Sequence, residues 1–340
     1  MPTATASFAL KLLDQVGGDG VVLSPASVQR ALTALRPGVS GAARAALDQV
    51  PYPELREIDE AGVVLELATA LWIDERRQLL ADLGIDAEAL DFGDPAAPDR
   101  VNAWVAERTH GMIQRIVDRF SPDEVFALAD AAYFDGAWQV PFDPDRTEPR
   151  PFTQPDGTAV EVPTMHADGS FDYYEDDDLQ AVRLPYGNAG ELCFTAVIAR
   201  AGLAPPALTD WDVLRTEPHP GSIAVPRFTA ESSSELDDAL KALGLGPAFD
   251  PGPDFDGLIS GPGPKALGRV LHRARVDVDE RGTRAAAVTV LTAVATAFRP
   301  EPPFALRLDR PFLWAVEDRR TGTLLFLGTV TDPTRTEEST

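Results

Sequence analysis

The stretch GTRAAAVTVLTAVATAF, residues 282–298, decides how the rest of this sequence is read. It has one charged side chain, no proline, and a glycine only at its start; prolines follow in RPEPPF. Small residues alternate with threonine and valine, which favours a strand, although its alanines leave a core helix as the alternative. The run is longer than a usual strand and would be an aggregation hazard if left unprotected. It therefore indicates a strand-forming segment with a task other than ordinary core packing.

The composition limits the class of protein. The chain has 340 residues, 44% of them hydrophobic, enough for one large domain or two ordinary ones. Acidic residues outnumber basic ones 54 to 30, and the net charge of −24 argues against nucleic acid and anionic membranes as partners. No apolar run is long enough to cross a bilayer. No secretory leader is visible at the N-terminus, so we expect either a cytoplasmic protein or a secreted one whose leader has been removed.

Periodicity predicts helices first and strands later. Amphipathic helices are predicted over 7–16, 24–38, 40–50, 99–120 with a break at Gly111, and 233–245. Ser24 is the predicted N-cap of the second helix, with Pro25 at its first position. A buried strand is predicted over 63–73, and short strands dominate from about residue 126. This order favours an α+β fold with antiparallel or mixed sheets, and no linker composition divides the chain, so we predict a single domain over 1–340.

A search for catalytic or metal-binding patterns finds little. The histidines His110, His166, His219 and His272 form no close metal pair, and no CxxC occurs, so no metal or cofactor is expected. The acidic YYEDDDL, residues 173–179, is interpreted as a solvated turn and Cys193 as a small buried hydrophobe. Ser27, Asp130 and His272 supply the residue types of a hydrolase triad, which keeps a hydrolase open as an alternative.

Several stretches, in order, resemble the serpin family, the large inhibitors of serine proteases. VVLSPASVQRALTALRPGVSG is similar to its SPxS segment at Ser24, Pro25 and Ser27. Two further motifs match at these positions: Asn102, Trp104, Val105, Thr109, Gly111 and Ile113 in VNAWVAERTHGMI; Phe134, Gly136 and Trp138 in AAYFDGAW. The order continues with VPTM, LPY, VPRFTAESS, LHRARVDVDERGTRAAA and DRPFLWAVEDRRTGTLLFLGTV. The resemblance runs from about residue 7 to 333.

The resemblance implies a fold and an activity. The fold would be α+β, with helices packed on three mostly antiparallel or mixed sheets and an exposed reactive-centre loop at about 280–303. The activity would be suicide inhibition of a serine protease, or of a cysteine protease, by a monomer that is not an enzyme. The alternative keeps the fold without inhibition: a binding protein whose loop is cleaved without trapping anything.

By this resemblance, residues 282–298 would form the hinge and the inserting arm of that loop. The resemblance implies a hinge with these members: Glu280, Gly282, Thr283, Ala285, Ala286, Ala287 and Thr289. A strand that enters a sheet must offer every backbone N–H to its neighbours, which explains why no proline lies between Gly282 and Pro300. The family's usual arm length, counted from Gly282, implies a reactive bond at Thr296–Ala297, which would suit elastase-like or subtilisin-like proteases. The second choice, Phe298–Arg299, would suit chymotrypsin-like proteases.

Residues that control sheet opening are also implied: Ser24, Ser27, Asp130, His272 and Trp138. Asp130 stands where the family usually has Asn, and an ionised Asp accepts hydrogen bonds without donating any, so it could pair with His272. Arg284 stands where the family often has Glu. The chain is also short between Val50 and Val63, where the family usually has a helix, so a heparin-type cofactor site is not expected.

Overall fold

Helices form at the N-terminal end much as the sequence predicts. The computed structural model describes residues 4–58, 61–121, 123–261, 263–283 and 304–335. Within them the α-helices are α1 (Ala4–Val16), α2 (Pro25–Ala34), α3 (Gly41–Leu47), α4 (Ala97–Arg108), α5 (Asp237–Leu240) and α6 (Gly246–Phe249). Ser24 is the N-cap of α2, and its side chain accepts a hydrogen bond from the Ser27 amide. None of the described helices is long and apolar enough to cross a membrane.

Strands dominate the rest of the described chain. In order they are β1 (Val22–Leu23), β2 (Val63–Asp74), β3 (Asp86–Leu90), β4 (Phe126–Ala137), β5 (Glu148–Thr153), β6 (Ala159–Glu175), β7 (Leu179–Pro185), β8 (Leu192–Ala199), β9 (Glu217–Pro226), β10 (Phe228–Glu235), β11 (Arg269–Asp279), β12 (Gly282–Thr283), β13 (Phe304–Arg307), β14 (Phe312–Asp318) and β15 (Thr323–Val330). The α+β class is confirmed.

Hydrogen bonds join these strands into two sheets, where the family resemblance implies three. The larger sheet has the order β1-β15-β14-β8-β7-β6-β9-β13, with β5 also paired to β6. The smaller has the order β10-β11-β12-β4-β2-β3. The difference arises at β6, which is 17 residues long. Its residues 159–164 pair with β5, residues 164–173 pair with β9, and residues 172–175 pair with β7, so two expected sheets become continuous through one strand.

The core takes residues from both sheets and from the helices. The largest cluster draws on both sheets and includes Phe134, Trp138, Phe194, Trp314 and Phe326. A second cluster lies under α2, α3 and α5. A third lies under α4, where Trp104 meets Trp72 edge to face with ring centroids 6.1 Å apart. The smaller sheet is therefore covered on both faces.

The helix predicted over 99–120 is wrong in its second half. It ends at Arg108, and His110 and Gly111 both have positive φ, in agreement with the predicted break. Helix does not resume, because the Asn102 side chain supplies hydrogen bonds to the backbone of residues 116 and 117 that a helix would otherwise provide. Asn102 Oδ1 accepts from the Ile116 and Val117 amides, and its Nδ2 donates to the Val117 carbonyl. The helix predicted over 233–245 begins only at Asp237, since β10 continues to Glu235.

Candidate functional site

Strands β4 and β11 meet along a seam that is closed over most of its length and open at one end. They pair in parallel from Arg269 with Ala127 to Arg275 with Tyr133. Beyond Tyr133 they separate, and β12 lies between them. Its two residues pair antiparallel with both strands, Thr283 opposite Val278 and Gly136, and Gly282 opposite Asp279 and Ala137. The seam thus holds the first two residues of a third strand.

Glycine is required where β12 enters the seam. Gly282 has φ +150°, and a Cβ on it would lie 2.0 Å from the Gly136 carbonyl oxygen. A Cβ on Gly136 would in turn lie 2.6 Å from the Phe134 ring. Thr283 is fully buried, and its hydroxyl is 2.7 Å from the Tyr186 hydroxyl. The Thr283 side chain therefore faces the core.

A set of polar contacts fixes the turn before β12. The Glu280 carboxylate is buried and accepts hydrogen bonds from Arg227 Nε at 2.7 Å and Thr147 Oγ1 at 2.5 Å. Burial opposes ionisation of Glu280, but the hydrogen bonds from Arg227 and Thr147 outweigh it and lower the pKa of this carboxyl. Trp138 donates through its indole N–H to the Asp279 carbonyl at 2.8 Å and through its backbone N–H to the Arg281 carbonyl at 2.9 Å. Trp138 stacks on Tyr186, with ring centroids 4.6 Å apart.

A buried polar cluster lies at the closed part of the seam. Asp130 and His272 are register partners across it, and His272 Nδ1 is 2.8 Å from Asp130 Oδ2. Asp130 Oδ1 accepts hydrogen bonds from the hydroxyls of Ser27 at 2.5 Å and Thr69 at 2.7 Å. The Ser24 amide donates to His272 Nε2 at 2.9 Å. We call Ser24, Ser27, Thr69, Asp130 and His272 the shutter cluster; all five are buried.

The hydrogen-bond partners of His272 define its tautomer. Because the Ser24 amide donates to Nε2, that nitrogen carries the lone pair, and Nδ1–H donates to Asp130. Ser27 Oγ donates to Asp130 and not to His272. In a hydrolase triad the nucleophilic hydroxyl must face the histidine that accepts its proton. The geometry of these three residues therefore does not fit the hydrolase alternative.

Sequence reasoning missed four residues of this region: Thr69, Thr147, Arg227 and Tyr186. Thr69 lies 61 positions from Asp130, Thr147 and Arg227 lie 133 and 53 positions from Glu280, and Tyr186 lies 97 positions from Thr283. The other expected hinge residues, Ala285, Ala286, Ala287 and Thr289, lie outside the described residues, as do both candidate reactive bonds, Thr296–Ala297 and Phe298–Arg299.

A further buried carboxylate, that of Glu317, lies in the larger sheet, away from the seam. Glu317 accepts hydrogen bonds from Arg183 Nε at 2.5 Å, Thr195 Oγ1 at 2.7 Å and Trp211 Nε1 at 2.6 Å. Cys193 is fully buried, and its Sγ lies 3.3 Å from Glu317 Oε1. Burial, followed by the charge of Glu317, raises the pKa of the Cys193 thiol well above its ordinary value. Among the described residues no three His, Cys, Asp or Glu side chains are grouped as metal ligands.

The fold and the partly filled seam define a class of protein in which a short strand, Gly282–Thr283, lies between two strands that pair directly with each other over most of their length. The family described as serpin (serine protease inhibitor) matches residues 3–333. The chain belongs to the serpin family. It is 31% identical to an uncharacterised serpin-like protein of Thermococcus kodakarensis, over 97% of this chain and 85% of that protein.

Solved structures of the same fold include proteins with different roles. The thermophilic serpin tengpin in its native state matches with a TM-score of 0.84 and 24% identity, over 97% of this chain and 93% of that one. Human thyroxine-binding globulin, solved in complex with its hormone, matches with a TM-score of 0.83 and 22% identity, over 98% of both chains. At these identities the structures support the fold alone. Family membership supports the general class of protease inhibitor.

Proposed function

We propose that this protein inhibits a serine protease by letting the cleaved arm, residues 284–296, enter the seam between β4 and β11. The observation that carries the proposal is the position of β12. Gly282 and Thr283 already pair on both sides, with β4 and β11, in the antiparallel register that the arm would need. Continued insertion would replace the parallel pairing of β4 with β11 by two antiparallel ladders. Because antiparallel pairing is slightly more stable per residue and the number of hydrogen-bonded strand pairs rises, this supplies a driving force.

The register of β12 specifies where each arm residue would lie. Each step along the arm moves one residue back along both neighbours, starting from Thr283 between Gly136 and Val278. Thr289 would then come level with Asp130 and His272. Thr289 also shares the parity of Thr283, whose side chain faces the core. Its hydroxyl would therefore enter the shutter cluster, able to accept from His272 Nδ1–H and donate to Asp130 in place of their direct contact.

The same register accounts for the unusual Arg284. This residue would lie between Asp135 on β4 and Asp277 on β11, on the face opposite to Thr283. Opposite charges directly across a sheet are stabilising, whereas like charges there are destabilising. A charged hinge residue is thus compatible with insertion in this chain, because the two neighbouring strands carry the complementary charge.

The length of β4 is also consistent with the expected reactive bond. Pairing would reach Phe126, the first residue of β4, at position 293 of the arm. This is a strand of about 34 Å at the usual rise per residue. Thr296 would lie three residues beyond that end, at the far pole of the sheet. We therefore propose Thr296–Ala297 as the bond that is attacked.

The chemistry belongs to the protease. Its serine oxygen attacks the Thr296 carbonyl, the bond to the Ala297 nitrogen breaks, and the Ala297 amine leaves with a proton. The resulting ester keeps the protease attached to the arm. Insertion then carries the protease along the sheet and distorts its active site before water hydrolyses the ester.

Incubation with elastase, subtilisin and chymotrypsin, followed by denaturing gels and mass spectrometry, tests the proposal. A covalent complex with one of them and a new N-terminus at Ala297 would support it. A clipped product alone would indicate a binding protein of this fold that does not trap its protease. As an independent measure, the cleaved chain should melt at a higher temperature than the intact one. If both forms melted together, the arm would not have entered the sheet.

A further inference from the structure

Four strands of the larger sheet form a continuous surface next to the end of the reactive-loop region. Thr164 of β6 pairs with Glu148 of β5 and with Pro226 of β9, so β5 and β9 lie on opposite sides of β6. Strand β13 pairs in parallel with β9. The order β13-β9-β6-β5 therefore places the first residues after the loop on the edge of this surface.

Register brings chemically distinctive residues onto one face of these strands. His166 of β6 is opposite Ala224 of β9, which is opposite Arg307 of β13. Arg150 of β5 is opposite Val162 of β6, on the same face as His166. A solvent-accessible cavity of about 360 Å³ lies over this face. Its volume is in the range of small-molecule sites.

Two polar groups on this face lack partners. His166 Nε2 is buried and accepts or donates no hydrogen bond. Arg307, which also lines the cavity, is exposed and forms no ion pair or hydrogen bond with any residue that the structure describes. A buried ring nitrogen without a partner is costly in a folded protein. A ligand that reached both groups would remove that cost.

The charges around His166 come from every neighbouring element. Burial, followed by the guanidinium of Arg150, lowers the pKa of His166; Glu148 opposes this shift, and Arg146 and Arg307 add smaller contributions that lower the pKa. The nearby carboxylates are already paired, as follows: Asp168 with Arg146, Glu148 with Arg150, and Asp309 with Arg310. In a protein of net charge −24, these groups pair off and leave the positive charge of Arg307 in excess beside the cavity.

We propose that this cavity binds a small organic polycarboxylate. One carboxylate pairs with the guanidinium of Arg307 on β13, and a second is held by Arg150 on β5, at the other side of the surface. His166 donates from Nε2 to the ligand between them. The guanidinium fork matches a carboxylate in two-point geometry, and the aliphatic side chains of Val162 and Ala224 on this face suit a short carbon skeleton.

Two consequences distinguish this site from a general attraction of anions. A bound carboxylate beside His166 favours its protonated form, so binding takes up a proton and becomes tighter as the pH falls. The ligand also bridges β13 to β6 and β5. Strand β13 has four residues and a single partner among the described strands, so its amides should exchange more slowly with ligand bound.

Isothermal titration calorimetry with propane-1,2,3-tricarboxylate, at pH 8 and pH 6, tests the proposal. We expect saturable binding at one site, tighter at pH 6, and slower hydrogen exchange in β13. The corresponding triamide, which has no charge, should not bind. Inorganic phosphate that bound as tightly as the tricarboxylate would overturn the proposal, since the carbon skeleton would then contribute nothing. Absence of saturable binding would overturn it as well.

Variants locate the site. Arg307→Gln and Arg150→Gln should each weaken binding about tenfold or more, and His166→Gln should remove the dependence on pH. Arg320→Gln is the matched control, because this exposed arginine pairs with Glu191 elsewhere on the molecule. Unchanged affinity in both Arg307→Gln and Arg150→Gln, with native circular dichroism, would refute the assignment.

Discussion

Removal of the Asp130 carboxylate should be far more damaging than removal of its charge. The side chain is fully buried and accepts hydrogen bonds from Ser27 at 2.5 Å, Thr69 at 2.7 Å and His272 at 2.8 Å. In Asp130→Ala all three buried donors lose their acceptor. Since breaking a buried pair of this kind costs about 3–5 kcal/mol, we expect a loss of about that size in the free energy of unfolding.

Asp130→Asn retains the shape but must rearrange one hydrogen bond. If its Nδ2 faces His272, it meets the Nδ1–H donor, and the other tautomer would oppose the Ser24 amide. If its Oδ1 faces His272, its Nδ2 donates to Ser27 and Thr69, whose hydroxyl hydrogens need new acceptors. Either arrangement forfeits about one net hydrogen bond, or about 1 kcal/mol, and the relief of a buried charge offsets part of it.

Equilibrium urea unfolding followed by tryptophan fluorescence measures this ranking. Asp48→Ala is the control, because its exposed pairs with Arg36 and Arg44 should contribute less than about 1 kcal/mol. If Asp130→Asn were as unstable as Asp130→Ala, the charge itself would hold the seam together. If Asp130→Ala cost no more than the control, the shutter cluster would contribute nothing to stability.

Three further predictions concern the hinge. Gly282→Ala should release β12, because its Cβ would lie 2.0 Å from the Gly136 carbonyl oxygen. We expect faster amide exchange at the hinge and a larger loss in the free energy of unfolding than for Gly157→Ala, which has open space around its Cβ and should lose only about 1–2 kcal/mol to its positive φ. Because the pKa of Glu280 is lower in the folded protein than its ordinary value of 4.5, the ionised carboxylate stabilises the fold at pH values above 4.5. This stabilisation is lost as the pH falls through the folded-state pKa. Wild type should therefore lose more stability between pH 5 and pH 3 than Glu280→Gln in parallel unfolding curves, and equal losses would contradict the ion pair. In the inserted arm, Arg284→Glu would place a third carboxylate between Asp135 and Asp277 and so oppose insertion. The ratio of clipped to covalently trapped protein on gels should therefore rise, whereas the control Arg284→Ala should change this ratio little.

Local patterns in the sequence predict most of the elements. Ser24 and Pro25 specify the start of α2, because their backbone and side-chain preferences act within one turn. The strand over 63–73 and the change to β-structure near residue 126 follow from runs of apolar and β-branched residues. The failure between Met112 and Phe120 has a nonlocal cause, since helical periodicity there was real but the Asn102 side chain supplied a competing set of hydrogen bonds.

The site is predicted only where a family motif marks it. Ser27, Asp130 and His272 are far apart in the sequence, and no spacing rule would join them; the resemblance does so. Thr69 and Arg227 carry no such signal: Thr69 is an ordinary residue of β2, and Arg227 is the single residue between β9 and β10. Each comes beside a buried carboxylate only in the folded chain, through the pairing of β2 with β4 and through the step from the larger sheet to the smaller one.

The inaccessibility of Cys193 makes the chain a ready host for a spectroscopic reporter. Thiol reagents attack the thiolate, and this thiol is both fully buried and held in its protonated form. As the chain has one cysteine, a cysteine introduced between residues 284 and 303 becomes the sole site for a fluorophore under native conditions. Energy transfer from such a dye to a second label could follow the arm in real time, without first removing a native residue.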